Sequence, residues 1–360
     1  MTPKHSLNRR EFLLESTKGT IGLTAGIAAS GAIFSCQDRE KVAEQKNKNS
    51  IKLSLFSVTF TGVWYDGPAL NINEFIRKAK SIGYNGVELG AKRPHLSPLD
   101  YDKKECAEIR KLADREGIEI SAVASYNNFA SPIPERRENE LLMVREQMRT
   151  TSYLGVKILR LMAAWTGVTM DNGKAIYDEA SKASEVAFPN VTKEQKWKWC
   201  RECLEESVKY AEKFGVTLAF QNHKPLIDNY RDAIKMVNEI GSENLKLSLD
   251  VPLFYAQDDE YVRNAVLEAG KDLILHSHVG GEFYREENGE IAQRVFGSRR
   301  NLINYPVFVK TLTEIGYNGY LSYELCHPFK IGNKYAKLED SEEQAAFALE
   351  YMRNILSEVV

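Results

Sequence analysis

The sequence predicts one large (β/α)8 barrel occupying residues 51–360, and three observations carry that prediction. A strand-then-helix rhythm repeats eight times from residue 51 onward. Several helical stretches close on a glycine just ahead of the next strand, at Gly83, Gly117, Gly155, Gly215 and Gly316, the residue type suited to the left-handed position after a helix. Polar residues able to do chemistry gather at the ends of the strands, where ligands bind in a closed parallel barrel.

The strands read as IKLSLFSV (51–58), NGVEL (85–89), IEISAVA (118–124), VKILRLM (156–162), VTLAF (216–220), LKLSLD (245–250), LILHSH (273–278) and YLSYEL (320–325). Each is a short apolar run bounded by turn residues. Between them lie amphipathic stretches such as NINEFIRKAKSIGY, KKECAEIRKLADREG and PVFVKTLTEIGY, and a final helix spans roughly 341–358. Such alternation implies a parallel sheet, and eight units imply a closed TIM barrel. An open doubly wound sheet is the competing arrangement. It is disfavoured because SVTFTGVWYDG follows the first strand in place of a glycine-rich nucleotide loop.

The strand ends locate the chemistry. Strand 2 ends at Glu88, strand 5 at Gln221-Asn222-His223, strand 6 at Asp250, strand 7 at His276 and His278, and strand 8 at Glu324 before Cys326-His327. Alternation sends His276 and His278 to the same side. Two imidazoles there could hold a metal, orient a substrate, or be core histidines satisfied by neighbours. A buried carboxylate is costly unless it is paired or binds a cation, so acids converging with histidine argue for one divalent metal. Mixed oxygen and nitrogen donors suit Mn²⁺, Co²⁺, Mg²⁺ or Zn²⁺.

The stretches GYNGVEL (83–89), AFQNH (219–223), LSLDVP (247–252), LHSHVGG (275–281) and GYNGYLSYE (316–324) together resemble the xylose isomerase-like barrels, specifically the sugar phosphate isomerase/epimerase group. The resemblance covers the chain from about 51 to 355. It implies metal ligands at Gln221, Asp250, His278 and Glu324. Two departures stand out. The group has a glutamate where Gln221 stands, and its sugar epimerases tend to carry histidine where Leu253 stands. A glutamine oxygen can ligate a cation, but an amide does not take a proton near neutral pH.

These departures point away from two-base epimerisation. Glu324 remains as general base, with His223 and His276 as further proton carriers. A metal beside a carbonyl acidifies the neighbouring C–H, and elimination or one-base isomerisation then needs one strong base plus an acid. The expected function is an enolisation-type lyase or isomerase acting on a keto-sugar or keto-glycoside. A two-base epimerase and a non-catalytic sugar-binding lipoprotein are the alternatives. Expected substrate contacts are Glu88, Trp165, Lys224 and Arg285, the last in a polar loop, GGEFYREENGE, placed to cover the mouth. The 165–192 insertion after strand 4 is longer than an ordinary loop and shapes a binding site.

The N-terminus reads as an address. Arg9-Arg10 precede Phe12-Leu13 and a weakly hydrophobic run at 19–35, the order of a twin-arginine export signal. Ile33-Phe34-Ser35-Cys36 resembles a lipobox, so residues 1–36 form the signal and Cys36 a candidate lipid anchor. Residues 37–50 are polar and charged and read as a flexible tether. The expected location is therefore the bacterial envelope, with the membrane met only through Cys36. A formal charge of −2, from 48 basic and 50 acidic residues, and the absence of Lys/Arg clusters argue against a nucleic-acid partner, and a DNA-repair endonuclease would need a multi-zinc cluster with more histidine ligands than this chain offers. Five cysteines are too few and scattered for a disulfide framework, and Cys200 and Cys203 read as helix packing residues. The expected partner is a small carbohydrate, and self-association into a homo-oligomer is left open.

Overall fold

Along most strands, apolar residues dominate one face and small or charged residues the other. The computed structural model describes residues 51–295 and 302–359, and in it eight parallel strands close into a barrel. They are β1 (Lys52–Phe56), β2 (Gly86–Gly90), β3 (Glu119–Ala124), β4 (Ile158–Leu161), β5 (Thr217–Gln221), β6 (Leu245–Ser248), β7 (Ile274–Gly280) and β8 (Tyr320–Glu324). Each pairs with its sequence neighbours, and β8 closes on β1, so β4 stands opposite β8. The surrounding helices are α1 (Ile72–Ile82), α2 (Lys103–Glu116), α3 (Pro134–Tyr153), α4 (Lys193–Phe214), α5 (Tyr230–Ile240), α6 (Asp259–Leu273), α7 (Tyr305–Glu314) and α8 (Leu338–Val359). The expected signal, the candidate anchor at Cys36 and the tether lie outside the described residues. Among the described residues, no helix is long and apolar enough to cross a membrane.

Local chemistry sets the helix limits. Asn71, Asp102 and Thr192 each cap a helix through reciprocal bonds with the residue three further on, satisfying amides that have no intrahelical partner. Gly83 and Gly117 end α1 and α2 at φ 108 and 62, backbone that favours glycine. Cys200 and Cys203 are buried on α4, packing residues as their spacing predicts.

The two faces of the strands build two different interiors. Leu53, Leu55, Val87, Leu89, Leu159, Leu161, Leu218 and Leu321 join one continuous apolar cluster between sheet and helices. The alternate positions, among them Ser54, Glu88, Arg160, Gln221, Ser248, His276, His278 and Ser322, are buried and polar. The register aligns them, with Phe56 beside Glu88, Gln221 beside Ser248, Ser248 beside His276, and Ser322 beside His278. The hydrophobic core therefore lies outside the barrel wall, and a charge cluster fills its axis.

Two loops differ in their fate. The insertion after β4 forms a hairpin (Thr169–Asp171 with Lys174–Ile176) and a helix (Glu179–Ala187). It reaches the opposite rim: Ala175 N donates to Val63 O at 3.1 Å, and the Tyr177 hydroxyl donates to Cys326 O. The loop after β7 was expected to cover the mouth. Instead, Glu282–Arg285 pairs with Ile291–Arg294 and packs on α8, with Phe283 and Gln344 exchanging hydrogen bonds of 2.8 Å.

Two stability measurements test this account. Asp102→Ala should cost about 1 kcal/mol by uncapping α2, read as a lower urea midpoint at unchanged slope. His95 is buried, with Nε2 3.1 Å from Leu70 O, and burial lowers its pKa from 6.5 to about 4. Its neutral form is what the fold accepts, so the stability it contributes is complete above about pH 6.5 and is lost as pH falls towards about 4. That amounts to about 3 kcal/mol. A His95→Phe variant should show a correspondingly flatter acid limb in denaturant titrations.

Candidate active site

Arg160 is the largest of the fully buried side chains, and it projects from β4 into the barrel. Its Nε donates to Glu88 Oε1 at 3.0 Å and its Nη1 to Gln221 Oε1 at 2.8 Å, with the guanidinium 5.1 Å over the Phe56 ring. Glu88 lies in the middle of β2 and turns its other oxygen to His278 Nε2, 2.7 Å away. The opposite nitrogen, His278 Nδ1, lies 3.0 Å from Asp250 Oδ2 and 3.8 Å from Glu324 Oε1. Gln221 donates from Nε2 to Asp250 Oδ2. Asp250 is further held by Ser248 Oγ and the His278 amide, each 3.0 Å from Oδ1.

Protonation follows from this packing. Burial opposes charge on His278, but Glu88, Asp250 and Glu324 outweigh it and raise the pKa to about 10. The ring is therefore an imidazolium donating at both nitrogens. The Gln221 amide, 3.2 Å from Nδ1, meets a donor there and spends its hydrogen on Asp250. Burial also opposes charge on Glu88 and Asp250, yet His278 and Arg160 hold both below the usual carboxylate range. Burial raises Glu324. Burial lowers His276 to about 4, so its 3.5 Å approach to Glu88 is not an ion pair, and His276 Nε2 is buried without a hydrogen-bond partner.

Two donor groups flank the His278 ring. Glu88, His276 and His278 offer ligand atoms within 4.8 Å of one another. Glu88, however, is already bonded to Arg160, and a guanidinium disfavours a second cation. On the Nδ1 side stand Asp250, Glu324 and Gln221, where the sequence resemblance places the ligands. Three carboxyl groups face one guanidinium and one imidazolium, and with all three ionised one negative charge is left over. Replacing the His278 proton with a divalent ion would bring the cluster to neutrality. Glu88 would then orient the imidazole from behind, as carboxylates commonly do for metal-bound histidine. The donor set fits such an ion. Gln221 meets it through its oxygen only if the amide turns away from Arg160.

The structure thus gathers Glu88, Gln221, Asp250, His276, His278 and Glu324 in one cluster. Trp165 and His223 meet at the rim, edge to face at 5.1 Å. Part of the His223 ring remains accessible, yet the protein around it lowers its pKa to about 4. Lys224 is exposed beside it. Arg285 is not brought to the cluster: Glu350 on α8 holds its guanidinium at 2.8 Å. Sequence reasoning missed Arg160 and Tyr177. The signal for Arg160 was a charge in the middle of VKILRLM, an apolar run that must place it inside the barrel. Tyr177 stacks on Trp64 at 5.5 Å and meets Trp165 edge to face at 5.9 Å, a contact made by the insertion. A groove of about 360 Å³ lined by Asn128, Trp165, Phe188 and Leu226 lies beside the mouth and does not include the cluster residues.

Arg160→Met should destabilise the fold by about 3–5 kcal/mol, because Glu88 is left buried and half paired. Adding Glu88→Gln should restore part of that loss in a double-mutant cycle read by chemical denaturation.

Comparison with known proteins agrees with the barrel fold. Fructoselysine 3-epimerase of Escherichia coli O157:H7 is 24% identical over 260 residues, 71% of this chain and 86% of that protein. Among solved structures, the IOLI protein with a zinc atom superposes with a TM-score of 0.61 at 19% identity, covering 86% of this chain and 99% of that one. A 3-keto-D-glucoside 4-epimerase from E. coli gives 0.58 at 16% identity, covering 85% of this chain and 100% of its own. The family profile described as xylose isomerase-like TIM barrel matches residues 76–355, more than half of the sequence, and the chain belongs to that family.

Proposed function

We propose that the chain is a metal-dependent enzyme that enolises a keto-sugar or keto-glycoside and completes the reaction by elimination or one-base isomerisation. The observation that carries this reading is the state of Gln221. At the β5 position the cluster holds an amide, with its oxygen on Arg160 and its nitrogen on Asp250. An amide so placed neither gives nor takes a proton near neutral pH. One carboxylate remains positioned to work, Glu324, which is partly exposed at the mouth.

The residues divide the work. Asp250, His278, Glu324 and Gln221 would hold the divalent ion, and Glu88 would fix the ring of His278. The ion, when bound, supplies Lewis acidity at a neighbouring carbonyl. Glu324 takes the proton from the carbon beside that carbonyl. The half-buried rings of Trp165 and Tyr177, the latter backed by the buried Trp64, offer faces on which a sugar ring can stack. The relatives named above support a sugar substrate, and one of them is named for a keto-glucoside. Export by the twin-arginine route rests on Arg9-Arg10 and the run at 19–35. It favours a glycoside over a phosphorylated sugar.

Elemental analysis tests the metal first: the purified chain should carry about one Mn, Co, Zn or Mg per molecule, and His278→Ala should lose it. Turnover of keto-glucosides should fall about 10²–10⁴-fold in Glu324→Gln. Folded Glu324→Gln and His278→Ala variants that match the parent would falsify the proposal.

A further inference from the structure

The elimination needs a proton donor besides Glu324. Gln221 cannot serve and His276 is fully buried, while His223 stands at the rim against Trp165 with its Nδ1 on Lys224 O. The structure assigns that role to Lys92, as the general acid that protonates the departing or carbonyl oxygen. This inference rests on the enolisation reading above.

Lys92 follows β2 by two residues, at the end of the barrel where Glu324 opens. Its ammonium lies 3.9 Å over the ring of Tyr126. Tyr126 in turn belongs to the small apolar group of Phe56, Val58, Ala124 and Cys326, which lines the axis and not the helical shell. Phe56 stacks on His278 at 5.5 Å and on Tyr126 at 6.5 Å. Tyr126 and Phe56 thus stand in series between the amine and the His278 ring. The charged and polar groups coupled to it are Arg160 of β4, Cys326 after β8 and His95 of its own loop. Those strands lie two places away on either side of β2, so the side chain leans inward over the mouth. Among the described residues no carboxylate pairs with it.

A lysine parked on an aromatic face, half-buried and without an acid beside it, is unusual for a surface lysine, which would reach water or an anion. Burial lowers its pKa from 10.5 to about 8, and proximity to Arg160 acts in the same direction. It is thus an acid strong enough to release a proton near neutral pH. In the elimination, Glu324 takes the proton from the carbon next to the ketone, and that C–H pair becomes the enolate double bond. The carbonyl then re-forms, a new carbon–carbon double bond takes up the pair, and the β carbon–oxygen bond breaks. The leaving oxygen takes its proton from Lys92. The products are an enone and an alcohol, with Glu324 protonated and Lys92 neutral. Water returns both to their starting states.

The test uses the manganese-loaded chain with two probes, methyl 3-keto-β-D-glucopyranoside and its 4-nitrophenyl analogue, followed by NMR in D2O. Lys92→Met and Lys92→Arg should keep the metal and the exchange of the α proton. They should release methanol about 10²-fold more slowly or worse. On the 4-nitrophenyl probe, whose leaving group needs no proton, the loss should shrink to within about tenfold. Parent-like methanol release by Lys92→Arg, or equal losses on both probes, overturns the acid role and leaves a charge or packing role. A parent that neither exchanges nor eliminates overturns the enolisation reading and this assignment with it. Exchange that survives in Glu324→Gln overturns the base and leaves Lys92 standing. Reductive methylation of Lys92 against pH, mapped by mass spectrometry, needs no substrate. A midpoint near about 8 supports the assignment, and one in the ordinary lysine range near about 10 sinks it.

Discussion

A guanidinium buried on the axis of a barrel must have negative charge beside it, and the interior of this protein is arranged around that requirement. Arg160 is 1% exposed and cannot shed its proton. Glu88 meets the need at 3.0 Å, and in doing so becomes a fixed anion facing the His278 ring. That ring is then held from behind, with its other nitrogen turned to Asp250 and Glu324. Removing any one of these groups leaves another charge buried without compensation, which is why such clusters act as units. The price of this interior is a barrel axis that contributes little hydrophobic stabilisation. The continuous apolar cluster outside the wall supplies it instead.

The same guanidinium explains why an amide can stand at position 221. A glutamate there would add a fourth carboxylate within the cluster, and Arg160 with a divalent ion would no longer balance the charge. Glutamine keeps an oxygen for Arg160 and a donor for Asp250 without adding charge. On the reading proposed above, chemistry that needs two carboxylate bases gives way in the exchange. A site with one carboxylate base and a neighbouring ammonium has a direction: one group takes a proton and the other gives one. Symmetric exchange across the two faces of a carbon has no such asymmetry.

Much of this was legible in the sequence because barrel strands carry period-two information. Glu88, Asp250, His276, His278 and Glu324 stand out as polar residues on short apolar runs, and the fold brings all five together. Arg160 carried the same signal in VKILRLM, but a single strand does not reveal which carboxylate across the barrel meets its charge. Arg285 was misplaced because a polar stretch reads alike whether it arches over the mouth or folds back on α8. There, its hairpin register and Glu350 decided the matter. Lys92 gave no signal at all, since GAKRPH is an ordinary polar turn until the ring of Tyr126, from the next strand, is placed under it.

The insertion after β4 has a consequence for what can reach this chemistry. It starts on one rim, and its hydrogen bonds to Val63 and Cys326 fasten it near the opposite one. A strap tied at both ends crosses the rim instead of hanging from one side of it. On the sugar reading proposed above, such a strap stands in the way of a long polysaccharide lying across the mouth in mid-chain and favours terminal units and small glycosides.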